Sequence, residues 1–187
     1  RQIDARDRER FRRGFERLSP QSRYRRFFSP TPRLSESMLR RLIETDGETR
    51  VAIGAERLRS LPLRWLPADG LGVARFIRLA DRPEAAEIAV TVLDHWQGRG
   101  LGGILLDALV GAAVARGVRR FVAYVQPDNA PMIELLRRLD AGAPGRLEDG
   151  LLVYDIELGS APLRPARMAR RPSVGSRLAE LAASIAD

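Results

Sequence analysis

Glu87-Ile88-Ala89-Val90-Thr91-Val92-Leu93, Asp94-His95-Trp96, then Gln97-Gly98-Arg99-Gly100-Leu101-Gly102-Gly103: the fold turns on how this stretch is read. The apolar run through Leu93 predicts a strand, and the glycines predict a turn. Leu101, Ile104, Leu105, Ala108, Leu109 and Ala112 then follow the i, i+3, i+4, i+7, i+8 spacing of a helix with one buried face. Gly117 ends that helix. The first N–H groups of a helix have no internal partner, and the helix dipole adds partial positive charge there. Glycine lets a ligand approach the backbone closely. Phosphate is the natural guest of such a turn.

Three phosphate-binding designs use glycine in this way. A P-loop requires a lysine, and the chain has none. Gly98, Gly100 and Gly103 match Gly-x-Gly-x-x-Gly, but a dinucleotide fold places its glycines directly after a strand near the start of a βαβ unit. Here Asp94 to Gln97 intervene, and the motif sits mid-chain. The third design is Gln/Arg-x-x-Gly-x-Gly/Ala, matched by Gln97, Gly100 and Gly102. A glycine-rich helix start without a ligand is the bland alternative; its glycines would cost helix stability with no compensating role.

Working outward, 187 residues allow one domain with extensions. No apolar run approaches the roughly 20 residues of a membrane span. The arginine-rich start has no apolar core, so export is not expected and the cytoplasm is the expected compartment. There is no cysteine, which excludes disulfides and thiolate sites, and His95 is the one histidine, so no metal site is expected. His95 is read as a loop residue. All 32 basic residues are arginine, and the net charge is +8. That charge favours anionic partners such as a nucleotide. The arginines are dispersed among acids, so nucleic-acid binding is not expected.

Arg1-Gln2-Ile3 reads as the end of a strand. Asp4 precedes a helix with Phe11, Phe15 and Leu18 on its apolar face, which Ser19-Pro20-Gln21-Ser22 breaks. Arg23-Tyr24-Arg25-Arg26-Phe27-Phe28 is either a helical turn packed on the core or one wall of a substrate cleft. Ser35 caps a second helix carrying Met38, Leu39, Leu42 and Ile43. Thr49–Ala55 and Leu71–Leu79 read as strands, with a folded loop or hairpin over Leu58–Gly70. Arg119–Val125 and Leu151–Leu158 are further strands, with a helix through Met132, Leu135, Leu136 and Leu139 between them. The expected domain covers residues 1–158. Residues 159–172 form a basic, proline-rich linker, and residues 173–187 form a short amphipathic helix capped by Ser173.

This order of elements, with the Gln97–Gly102 turn, resembles the GNAT superfamily of N-acetyltransferases over residues 1–158. Leu18-Ser19-Pro20-Gln21-Ser22-Arg23-Tyr24-Arg25-Arg26-Phe27-Phe28 adds a resemblance to bacterial protein lysine acetyltransferases of the Pat type. The resemblance implies an α/β (α+β) fold: a central mixed, mostly antiparallel sheet flanked by helices, with a V-shaped acetyl-CoA cleft. It implies that backbone N–H groups of Gln97, Gly98, Arg99, Gly100, Leu101, Gly102 and Gly103 hold the pyrophosphate. It further implies that Val90 and Val92 pair with the pantetheine arm, that Asn129 lies near the thiol, and that Glu87 is the general base. Glu87 is three residues before Val90 and so points to the opposite strand face, unless the bulge common in the family intervenes. Glu84 is the competing carboxylate. The tyrosine that serves many family members as general acid has no counterpart in Met132–Arg138.

The expected activity is direct attack of an amine on the acetyl-CoA thioester, with no metal. The leading acceptor is a protein lysine, as in an acyl-CoA synthetase. A small-molecule amine, such as an aminoglycoside or polyamine, is the nearer alternative. A non-catalytic acyl-CoA sensor and an RNA-binding domain are alternatives of other classes. Many Pat-type proteins carry a fused regulatory domain; none is read here, and control by cyclic nucleotide is not expected. The sequence leaves the oligomeric state open.

Overall fold

A computed structural model describes residues 1–30, 33–57 and 69–159. The expected linker and terminal helix, and nearly all of the Leu58–Gly70 segment, lie outside the described residues.

Among the described residues the sheet has six strands: β1 (Arg50–Glu56), β2 (Gly70–Arg78), β3 (Ala85–Val92), β4 (Arg120–Val125), β5 (Arg146–Glu148) and β6 (Leu151–Glu157). Their spatial order is β1-β2-β3-β4-β6-β5. Every pair is antiparallel except β3–β4, which is parallel. The helices are α1 (Arg8–Glu16), α2 (Pro20–Phe27), α3 (Glu36–Ile43), α4 (Leu101–Val114) and α5 (Ala130–Leu139). A parallel pair needs a crossover connection, and α4 supplies it between β3 and β4.

Leu105, Leu106 and Leu109 of α4 and Leu136 of α5 pack with Ala74, Phe76, Ile88, Phe121 and Ile156 to form the main core. The other sheet face lies under the N-terminal helices, where Phe15, Leu18, Leu39 and Ile43 are buried. Phe15 meets Phe27 edge-on at 5.8 Å between ring centroids. Among the described residues, no helix is long and apolar enough to cross a membrane.

Three expectations change. The segment at Ser19 does not only end a helix; it starts one. The Ser19 hydroxyl accepts from the Ser22 N–H, and Pro20 occupies the first helical position, where its missing N–H costs nothing. Three α-helices therefore precede the sheet instead of two, with a short 3₁₀ turn at Ala5–Asp7 before α1. The strand remnant is a single bridge, Gln2 to Ile53. Strand β5 is new: three exposed residues paired with the start of β6 across the Asp149-Gly150 turn.

Candidate functional site

Strands β3 and β4 pair over only three residues: Ala85–Arg120, Ala86–Phe121 and Glu87–Val122. Beyond that seam β3 runs on to Val92 and β4 to Val125, each still paired with its outer neighbour but not with the other. The sheet opens into a wedge there. One backbone edge of β3, from Ile88 to Val92, is left without a strand partner, which is the situation that an extended chain satisfies by strand addition.

The glycine turn lies at the open end of the wedge. Gly98 and Gly100 have φ of +69° and +83°, a left-handed conformation that L-residues, unlike achiral glycine, adopt only under strain. Gly100 sits at the N-cap position of α4, where no side chain caps the first N–H groups. A Cβ on Gly102 would press on Leu135, and one on Gly103 would fall on the Arg138 guanidinium. The absence of side chains at these positions therefore lets α5 approach the turn closely.

A cavity of about 390 Å³ follows this wedge. Of the ten residues expected to hold a nucleotide thioester, eight line it: Val90, Val92, Gln97, Gly98, Gly100, Gly102, Gly103 and Asn129. Arg99 and Leu101 do not; the Arg99 guanidinium lies 5.3 Å from the centre of the Trp96 ring, and Leu101 packs against the core. Asn129 also caps α5, its Oδ1 accepting from the Met132 N–H at 3.4 Å. The glycine turn, the unpaired strand edge and the opening suit a phosphate joined to an extended arm.

Sequence reasoning did not assign Ser22, Arg25, Arg26, Thr91, Met132, Leu135 and Arg138 to this cavity, and all line it. Of residues 23–28, Arg25 and Arg26 line this cavity, and Phe27 packs edge-on against Phe15. Tyr24 and Phe28 remain largely exposed. Arg25 crosses from α2 to the turn after β4, donating to the Asp128 backbone carbonyl at 2.9 Å and to its carboxylate at 3.1 Å.

Helix α2 is held against the turn by Asp94. Its carboxylate accepts from the Ser19 N–H at 3.0 Å, the Ser19 hydroxyl at 2.7 Å and the Ser22 hydroxyl at 2.8 Å. Gln97 Nε2 completes the joint, donating to the Val92 carbonyl at 3.0 Å and to Ser22 Oγ at 3.3 Å. Burial alone would raise the Asp94 carboxyl, but the bonds from Ser19 and Ser22 outweigh it and hold the carboxyl below its ordinary range. A depressed carboxyl contributes its full stability above the unfolded value near 3.9 and loses it as pH falls. Asp94→Ala is therefore expected to cost about 2 kcal/mol, the order of a few hydrogen bonds to a charged group. In a chain of this size that lowers Tm by about 4–8 °C. Melting curves of the variant and the parent should converge as pH falls below about 4. A gap independent of pH would place the effect in packing instead.

Glu87 occupies the last pair of the seam. The β2–β3 register runs unbroken from Gly72–Val92 to Arg78–Ala86, so no bulge turns Glu87 toward the side of Val90. It stands on the face covered by α1–α3, exposed, and lines neither this cavity nor the second one beneath α1 and α2. Its charge acts on Arg26 and Arg75. His95 is exposed in the 3₁₀ turn Asp94–Trp96. Among the described residues, no cluster of histidine and carboxylate side chains could hold a metal ion.

The sequence model of the Acetyltransferase (GNAT) family matches residues 19–141. Acetyltransferase Pat of Mycolicibacterium smegmatis is 40% identical over 82 residues, covering 41% of this chain and 25% of that protein. Acetyltransferase PA5475 of Pseudomonas aeruginosa is 30% identical over 129 residues, covering 69% of this chain and 66% of that protein. The chain thus spans a quarter and about two thirds, respectively, of the lengths of these curated relatives. The crystal structure of the GNAT domain of S. lividans PAT superposes with a TM-score of 0.72 at 33% identity, covering 84% of this chain and 89% of that one. Through its six-stranded, mostly antiparallel sheet, its wedge and its glycine turn, the chain belongs to the GNAT family, a family of acyltransferase enzymes that use acetyl-CoA.

Proposed function

We propose that this chain transfers an acetyl group from acetyl-CoA to the side-chain amine of a protein lysine. The observation that carries the proposal is the unpaired edge of β3 leading to the glycine turn at the start of α4. Backbone N–H groups over Gln97–Gly103 hold the pyrophosphate, and the Ile88–Val92 edge receives the pantetheine arm as an added strand. The thioester supplies the acetyl carbon as electrophile. The amine nitrogen forms the new C–N bond, the C–S bond breaks, and Glu87 takes the amine proton, through water since it does not line the cavity. Solvent returns a proton to the thiolate. The likeness to Pat and to the S. lividans PAT domain supports lysine as the acceptor, with an acyl-CoA synthetase as the leading bacterial, cytoplasmic substrate.

The test is incubation with labelled acetyl-CoA and a bacterial extract, followed by mass spectrometry. Label on protein lysines is the expected result; label confined to small amines would move the acceptor class to small molecules. The chain itself should gain no side-chain N-acetyl mark, since it has no lysine and arginine stays protonated. An internal mark would contradict the proposed chemistry.

A further inference from the structure

A second cavity, of about 110 Å³, lies between α1–α2 and the sheet. Phe11, Phe15, Leu18, Phe27, Val73 and Ala89 give it apolar walls. Arg26 and Thr91 line both this cavity and the wedge-shaped cleft, so the two meet there. Arg75 lines the second cavity from β2, across the ladder from Ala89.

At the far rim, the charges are matched among themselves: Asp7 pairs with Arg1 at 2.5 Å and Arg10 at 2.7 Å, and Glu56 with Arg1 at 3.3 Å. At the inner end they are not. Arg75 is only 7% exposed; its Nη1 donates to the Arg41 carbonyl at 3.1 Å, and its Nε has no partner. The buried Thr91 hydroxyl has no partner either. Neither Arg26 nor Arg75 has a carboxylate within ion-pair distance among the described residues. Arg50 and Glu44 also act on Arg75, in opposite directions, and pair with each other at 3.0 Å. Two guanidiniums then face the single charge of Glu87. Burial, with the repulsion of Arg75, pushes Arg26 down to about 10, still protonated at neutral pH. Arg26 is part-buried over the Phe27 ring, but the charge on the buried Arg75 has no ion-pair partner, which is costly and calls for an anion.

We propose that Arg26, Arg75 and Thr91 form a subsite for a carboxylate at the junction of the two cavities. A guanidinium presents a planar fork that matches a carboxylate, and the apolar walls accept a short methylene chain. The carboxylate is carried either by the acyl group, as in a dicarboxylic acyl-CoA, or by the acceptor amine. The inference rests on the acyl-CoA reading of the cleft.

Two ligand pairs separate these sources by calorimetry on the full chain. Succinyl-CoA is compared with acetyl-CoA, and 6-aminohexanoate with 6-aminohexanamide on the CoA-bound protein. In at least one pair the carboxylate-bearing ligand should bind about 10-fold or more tightly, as expected of a charged hydrogen-bonded contact. That ratio should fall to near one in Arg75→Gln or in Arg26→Gln, with Arg26→Gln carrying the test should Arg75→Gln melt early. A preference in the first pair assigns the carboxylate to the acyl group, and one in the second pair to the acceptor. No preference in either pair, or a preference kept in both variants, would overturn the subsite. Absence of acetyl-CoA binding would instead overturn the reading of the cleft, and the subsite with it.

Discussion

Glu87→Gln is expected to bind acetyl-CoA normally and to turn over about 10²–10⁴-fold more slowly at neutral pH, the range for loss of a general base. An ammonium cannot attack a thioester, because its lone pair holds a proton. With an unperturbed pKa near 10.4, only about one lysine in 2,500 is neutral at pH 7. Glu87 ends the β3–β4 seam, at the apex of the wedge, while its side chain stands on the face opposite Val90. That placement calls for a water relay. Glu84 is exposed in the turn before β3, and its backbone carbonyl is engaged by the N–H groups of Arg119 and Arg120. Glutamine is nearly isosteric and cannot accept the proton. The variant's rate should climb with pH, toward about tenfold per unit, as neutral amine becomes available. Unchanged turnover at neutral pH would remove Glu87 from the mechanism.

Gly100→Asp is expected to weaken acetyl-CoA binding by about 100-fold or more, measured by calorimetry, while circular dichroism shows a folded chain. Three effects act together. The φ of +83° strains a residue with a Cβ, the side chain occupies the approach to the first N–H groups of α4, and its charge opposes the pyrophosphate. Losing about two hydrogen bonds to a charged group suffices for this factor, since each is worth roughly 1.5–3 kcal/mol. Binding unchanged in this variant would move the nucleotide site elsewhere.

The strand–turn–helix unit was legible because its signals are local. Apolar spacing gives the buried face of α4, and clustered glycines mark the turn. Helix α2 is legible in part: residues 23–28 read as a helical turn, but the Ser19-Pro20 pair that starts it reads equally as an interruption, since serine followed by proline signals both. Strand β5 carries no such signal, since all three of its residues are exposed and a single polar–apolar–polar triplet is too short to mark a strand. The approach of α5 to the turn depends on Leu135 and Arg138 filling space above Gly102 and Gly103. That contact joins residues more than thirty positions apart, and periodicity does not report it. The length of the β3–β4 seam is a matter of backbone register, for which two apolar strands leave no trace in sequence.

That short seam makes the sheet two leaves of three strands, β1-β2-β3 and β4-β6-β5, hinged at Ala85–Glu87 and Arg120–Val122. An arm lying between the free edges fastens the leaves into one plate. Affinity for the ligand is then partly a mechanical property of the hinge. Ligand at 1,000 times its Kd adds about 4 kcal/mol to the folded state. That gain should appear as slowed amide exchange along both free edges, including Tyr124 and Val125 on the leaf that does not carry the glycine turn.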